Sequence, residues 1–131
     1  MNDANQNFGL GQIGQIGITV TNLERSIAFY RDTLGMKFLF QVPNLAFFDC
    51  TGIRLMLGLP EPNGETFRPI LYFRVDNIQQ AADALSRRGI VFETKPAMIA
   101  RLEKHDLWLA GFRDPDRNVI ELMSEVPRES K

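Results

Sequence analysis

The sequence has one cysteine, one histidine and one tryptophan in 131 residues, and no excess of charge: 15 Lys and Arg stand against 16 Asp and Glu, a formal net charge of −1. Each scarcity excludes something. A lone Cys50 cannot close an intrachain disulfide, which accords with a reducing compartment, and the cytoplasm is the expected location. With His105 as the only imidazole, a multi-histidine metal site is excluded, as is a Ser-His triad supported by further histidines. Balanced charge without a like-charge block argues against nucleic acid as a partner, because phosphates call for clustered Lys and Arg. The densest basic spot, Arg87-Arg88, reads as the last turn of a helix. Apolar runs such as Leu107 to Phe112 fall far short of the ~20 residues of a membrane span. No G-K-[ST], G-x-S-x-G, H-E-x-x-H or C-x-x-C motif occurs. Gly9-Leu-Gly11-Gln-Ile-Gly14 satisfies G-x-G-x-x-G, yet it follows a polar tail and leads into a strand. A dinucleotide loop must instead follow a strand and open a helix, so that helix-start amides meet the pyrophosphate.

What is present is the composition of one soluble domain, 44% apolar and 24% charged. A chain of this length buries about two thirds of its unfolded surface, so it needs neither disulfide nor structural metal to fold. Residues 1–12 are polar and Gly-containing and read as a mobile arm, 13–124 as the domain, and 125–131 as a C-terminal tail.

Two stretches read as a strand feeding a capped helix. Ile16, Ile18 and Val20 alternate with Gln15, Gly17 and Thr19; Thr21 and Glu24 form a capping-box pattern, and Leu23, Ile27, Tyr30 and Leu34 keep helical spacing up to Gly35. In the second stretch Leu71, Phe73 and Val75 alternate with Ile70, Tyr72 and Arg74. Asn77 and Gln80 cap the next helix, and Ile78, Ala82 and Leu85 form its apolar stripe before Gly89. An offset of 55 superposes the two stretches, pairing Val20 with Val75 and Tyr30 with Leu85. An offset of 65 pairs Phe47 with Phe112, Asp49 with Asp114, Leu55 with Ile120 and Leu57 with Leu122. The chain is therefore a diverged repeat of strand, helix and further strands ending in a hairpin. Module one spans 13–59, a Pro- and Gly-containing loop spans 60–68, and module two spans 69–124.

Strand alternation also sorts the chemistry. The residues opposite the helix-facing sets include Gln15, Arg54, Met56, Ile70, Tyr72, Arg74, Glu121 and Met123. A solvated face would carry more Lys and Glu, and a pure core would not carry Arg54, Arg74 and Glu121. Apolar walls with a few converging polar groups describe a ligand pocket. The alternative is that Arg54, Arg74 and Glu121 form a structural ion network. His105, in Glu103-Lys-His-Asp106 before the strand that holds Trp108, reads as a loop residue and an acid/base candidate. Cys50 reads as a small packed side chain.

These segments resemble the vicinal oxygen chelate superfamily of glyoxalases, bleomycin-resistance proteins and extradiol dioxygenases. The matching runs are Ile16-Gly-Ile-Thr-Val-Thr-Asn-Leu-Glu-Arg-Ser-Ile-Ala-Phe-Tyr30 through Leu34-Gly35, Leu71-Tyr-Phe-Arg-Val-Asp-Asn77, and Phe112-Arg-Asp-Pro-Asp-Arg-Asn-Val-Ile-Glu-Leu122. The resemblance implies an α+β fold of two βαβββ modules, a curled, cup-shaped mixed sheet, and a homodimer. Metal-dependent members place four ligands in the cup, and these positions fall on Gln15, Met56, Ile70 and Glu121. Met56 and Ile70 depart from the pattern, leaving Gln15 and Glu121 as residual ligands, too few for a tight divalent site. No cofactor is expected, although a weakly held divalent metal would use that pair. In the second hairpin turn Arg117 stands where relatives commonly have Gly, and Asn118 is expected to absorb any positive φ.

The favoured reading is a small-molecule binding protein whose ligand is aromatic or amphipathic and carries an anion. Arg54 and Arg74 would meet the anionic group, Tyr72 and Trp108 would give flat apolar contact, and Glu121 would orient a donor, with Phe47 and Phe112 as further aromatics of the cup. The alternative is a glyoxalase-family lyase, isomerase or dioxygenase. It would use Gln15 and Glu121 with a weakly held metal, or Glu121 and His105 as acid and base.

Overall fold

Each half of the chain folds as a strand, a helix and three further strands. In the first half β1 (Gln15–Thr19) leads into α1 (Leu23–Ala28), which runs on as a π-helical turn over Phe29–Thr33, and β2 (Lys37–Val42), β3 (Leu45–Asp49) and β4 (Arg54–Gly58) follow. The second half repeats the order with β5 (Leu71–Arg74), α2 (Ile78–Arg87), β6 (Thr94–Arg101), β7 (His105–Arg113) and β8 (Val119–Pro127). This computed structural model describes residues 8–128. The strands form two four-stranded sheets, ordered β1-β4-β3-β2 and β5-β8-β7-β6. In each, the first strand pairs in parallel with the last, because the helix carries the chain over, and the remaining neighbours are antiparallel hairpins. The sheets do not close on one another, and the architecture is the α+β pairing of βαβββ modules that the repeat implies.

The helices start where side chains can meet their orphan amides. Asn77 accepts from the Gln80 amide at 3.0 Å, as its spacing indicated. In the first helix the cap is Asn22, which accepts from the Arg25 amide at 3.0 Å, and not Thr21. The Thr21 hydroxyl is drawn away by a carboxylate of the other module, donating to Asp116 at 2.5 Å. One face of each sheet is covered by the helices. Ile18, Phe48, Leu55 and Leu57 from the first sheet, and Ala110, Phe112, Ile120 and Leu122 from the second, pack with Ile27, Tyr30, Ile78 and Leu85 into one core. Burying each larger apolar side chain there contributes roughly 1.5–3 kcal/mol.

The register corrects part of the repeat. Leu55 and Ile120 are counterparts, but Leu55 faces Phe48 whereas Ile120 faces Phe112, so Phe48 and not Phe47 is the partner of Phe112, at an offset of 64. The reason is turn length: residues 50–53 join β3 to β4, and 114–118 join β7 to β8, one residue more. In that longer turn the positive φ falls on Arg117, at 72°, and not on Asn118. Asn118 is held by its amide and Nδ2 bonds to the Asp114 carboxylate, at 2.8 Å each. The C-terminal boundary also moves: β8 continues to Pro127, paired with His105, so the sheet takes in residues assigned above to a tail. Of the N-terminal arm, residues 1–7 lie outside the described residues, as do 129–131 of the tail, and 8–14 are exposed without regular structure.

The modules are joined by polar side chains at the second hairpin turn. Tyr30, fully buried, donates to Asp114 Oδ2 at 2.8 Å, and Asn118 Nδ2 donates to the Thr19 carbonyl at 3.0 Å. Arg25 pairs with Asp116 at 3.1 Å. Burial works against the Asp116 charge, yet the Thr21 hydrogen bonds and the Arg25 guanidinium hold its carboxyl below the usual range. Arg68 closes the joint from the linker, donating to the Asp116 carbonyl at 2.8 Å and to Asn118 Oδ1 at 2.9 Å.

Candidate functional site

Each sheet keeps one face free of helices, and strand register decides what stands on it. On the first sheet Gln15, Arg54, Met56 and Phe47 share that face, since Gln15 pairs with Arg54 and Phe47 with Met56. Gln15 Nε2 donates weakly to Met56 Sδ at 3.6 Å, and the Arg54 guanidinium sits 5.2 Å above the Phe47 ring centre, which in turn stacks on Phe40. On the second sheet Tyr72 pairs with Glu121 and Arg74 with Met123, placing Tyr72, Arg74 and Glu121 on its open face, and Ile70 stands half exposed just before β5. His105 is the first residue of β7 rather than a loop residue, on the same face and opposite Pro127.

Two expected aromatics do not stand there. Trp108 pairs with Ser124 and Met98 and packs against the helix-side core, and Phe112 is buried in that core, so neither stands on the open face. The alternation runs outward at His105, Leu107, Leu109 and Gly111 and inward at Trp108, Ala110 and Phe112.

The ionic pattern also differs from a network of Arg54, Arg74 and Glu121. Arg74 pairs with Glu125 at 2.5 Å, and its guanidinium, with a smaller contribution from His105, holds the Glu125 carboxyl below the usual range. Among the described residues Arg54 and Glu121 make no ion pair. Burial pushes the Glu121 carboxyl up. Its carboxylate lies over Gly111, where an added Cβ would collide with Oε2. Glu121 faces Gly111 and His105 faces Pro127, so six residues of β8, roughly 20 Å, separate them. That distance is too long for one acid/base pair on a small substrate.

A cleft of about 710 Å³ opens between the first hairpin turn and edge strand β5. Arg54, Ile70, Tyr72 and Arg74 line it with Asp49 and Cys50, whereas Gln15, Met56, His105 and Glu121 lie outside it. Met36 and Ile53 also line it, and neither carries a chemical signal that a sequence pattern would single out. Burial first, and Asp49 second, push the Cys50 thiol up, away from the thiolate a nucleophile requires.

Of the four positions where metal-dependent relatives carry ligands, Gln15 offers an amide oxygen and Glu121 a carboxylate. Met56 offers only a soft thioether, engaged with Gln15, and Ile70 offers nothing. Among the described residues no three His, Cys, Asp or Glu side chains group to hold an ion. This donor set does not fit a divalent metal centre. No helix among the described residues is long and apolar enough to cross a membrane.

Comparison with known proteins agrees with the architecture. The chain is 30% identical to the uncharacterized protein YraH of Bacillus subtilis (strain 168), covering 82% of this chain and 94% of that one. Its fold resembles the crystal structure of lactoylglutathione lyase from Agrobacterium tumefaciens, with a TM-score of 0.75 and 21% identity, covering 88% of this chain and 95% of that one. It also resembles TnmS3, an antibiotic binding protein from Streptomyces sp. CB03234, with a TM-score of 0.73 and 21% identity over 91% and 99% of the two chains. The family model matches residues 12–122, the span of both modules and the joint between them, and the chain belongs to the Glyoxalase/Bleomycin resistance protein/Dioxygenase superfamily.

Proposed function

We propose that the protein binds a small aromatic or amphipathic, anion-bearing molecule in the cleft between its modules. One observation carries this reading: the cleft brings together Arg54, a guanidinium without a carboxylate partner among the described residues, and two large side chains that the fold leaves half exposed, Tyr72 at 52% and Ile70 at 49%. Apolar walls with a few polar groups that fix orientation are what a small-molecule site requires. Arg54 receives the anionic group, the Tyr72 ring gives flat contact and Ile70 further apolar contact, and Arg74 contributes less because Glu125 already engages it. The likeness in fold to an antibiotic binding protein supports a binding role. The donor chemistry of Gln15, Met56, Ile70 and Glu121 supports a site that works without tightly held metal. A homodimer belongs to the same reading, since the outer strands β2 and β6 are sheet edges with exposed Phe40, Val42 and Met98.

A thermal-shift screen of aromatic and amphipathic carboxylates tests the binding role, with Arg54→Ala as the control. A ligand that raises Tm in the wild type and not in the variant is the expected result. Equal shifts in both proteins, or none in either, overturn the reading. The raised Glu121 carboxyl favours a second reading, in which Glu121 moves a proton on a bound substrate. Turnover of a bound ligand that is lost in Glu121→Gln would select it.

A further inference from the structure

An internally repeated fold has two equivalent joints: the module-two hairpin turn meets β1 and the first helix, and the module-one hairpin turn lines one cleft with β5. The chain fills only the first. There Tyr30 donates to Asp114, and Asn118 to the Thr19 carbonyl. The repeat offsets put Leu85 in the place of Tyr30, Arg74 in that of Thr19, Ile53 in that of Asn118 and Cys50 in that of Asp114. Leucine is smaller than tyrosine and has no hydroxyl to donate, isoleucine has no amide to offer a carbonyl, and a thiol is a poor acceptor. The polar joint cannot form a second time, and space remains in its place.

On the Leu85 and Arg74 side that space is a slot of about 310 Å³, walled by Leu34, Met36, Phe73, Leu85, Phe112 and Leu122 with the Arg74 and Arg88 side chains, whereas Cys50 and Ile53 line the cleft. It meets the wider cleft at Met36, Phe73 and Arg74, so the two are compartments of one cavity system. Arg88 spans the joint beside the slot, donating to the Thr33 carbonyl at 3.0 Å and tying α2 to the end of the first helix. At about 30 Å³ per water the slot corresponds to roughly ten waters, and apart from the Arg74 and Arg88 guanidiniums its lining side chains are apolar and give them no hydrogen bonds.

We propose that the ligand is a single-tailed amphipathic carboxylate, its head at Arg54 in the cleft and its unbranched apolar tail past Met36 and Phe73 in the slot. This rests on the cleft being the ligand site and adds the class of molecule it takes. Away from Arg74 and Arg88 the slot disfavours a second charge, because its apolar wall offers nothing to replace the water lost.

Titration calorimetry with benzoate, which reads the cleft alone, and with butanoate, octanoate and decanoate, which read the slot, tests the assignment. Affinity rises up to about fourfold per added methylene if the tail is buried. Ala84→Phe, which places a ring in the slot, flattens the series, and Ala81→Leu on the same wall does so in part. Ser86→Phe, which adds the same ring to an exposed position of α2, leaves the series intact. A wild-type affinity independent of chain length, or a series unchanged in Ala84→Phe, overturns the slot. Benzoate binding that is lost in Arg54→Ala would in that case leave the cleft standing. A steep, Ala84→Phe-sensitive series without benzoate binding would keep the slot and refute the cleft.

Discussion

Replacing Tyr30 by phenylalanine takes one oxygen out of the joint between the modules and keeps the ring. The Tyr30 hydroxyl is fully buried and donates to Asp114 Oδ2 at 2.8 Å, a charge-assisted bond to a carboxylate that is itself 3% exposed. Asp114 retains its bonds from Asn118 Nδ2 and from the amides of Asp116 and Asn118, so it is weakened rather than orphaned. Hydrogen bonds to charged groups contribute about 1.5–3 kcal/mol. Tyr30→Phe is expected to cost about 2 kcal/mol, with a fall in Tm of roughly 6 °C for a domain of this size. Burial, and then the negative charge of Asp114, hold the Tyr30 phenol far above its ordinary range. In the unfolded chain it ionises near pH 10 by its ordinary value, about 10. The stability tied to the neutral phenol is therefore complete below that pH. It is lost as pH rises toward the folded pKa, at about 1.4 kcal/mol per pH unit. Urea unfolding at pH 7 and at pH 11 measures both effects. A variant within about 0.5 kcal/mol of the wild type at pH 7, or one with the same alkaline loss, would refute this account of the joint.

Gly111→Ala should swing the Glu121 carboxylate off β7 without unfolding the sheet, because the clash is with the end of a flexible side chain. Carboxyl NMR should then show the Glu121 pKa falling back toward its ordinary value. The stability that the wild type loses as pH rises through that raised pKa should shrink, and an unmoved pKa would contradict the placement. Met56→Glu with Ile70→His should create stoichiometric binding of zinc, nickel or manganese by calorimetry. Tight binding by the unmodified protein that survives Gln15→Ala would refute the degenerate donor set. Light scattering at micromolar concentration should give the mass of a two-fold dimer, and monomer alone would count against the reading of the β2 and β6 edges.

Local patterns carried the fold because they are local. Period-two alternation placed Gln15, Arg54, Met56, Ile70, Tyr72, Arg74 and Glu121 on the helix-free faces, and the register agrees at each of them but Ile70, which precedes the paired strand. The same alternation held the answer for Trp108, which shares its phase with Phe112 and Ala110 on the buried side. Matching Phe112 to Phe47 puts both Phe112 and Trp108 in the wrong phase, because the extra turn residue makes Phe48 the counterpart of Phe112. The one-residue excess in the second turn was illegible, since an offset read on β4 and β8 says nothing about β3 and β7. Distance within a face was equally hidden. Glu121 and His105 lie on one face and far apart, and only strand pairing reveals it. Thr21 lost its capping role to Asp116, a contact across 95 residues that no local motif encodes.

The bonds that lock the modules also set a timetable. Tyr30 meets Asp114 across 84 residues, and Asn118 meets Thr19 across 99. At ribosomal rates of about 5–20 residues per second, the first helix waits roughly 4–20 s for its polar partners to be synthesised. During that interval module one can pair its own strands, yet the Tyr30 phenol lacks the Asp114 carboxylate to which it donates in the folded chain. Completion of the last hairpin is therefore the committing event, and a nascent chain arrested before Asp114 presents an unfinished surface to chaperones and proteases. Sequence-distant locking of this kind also raises contact order, so the isolated chain should refold more slowly than a helical bundle of its length.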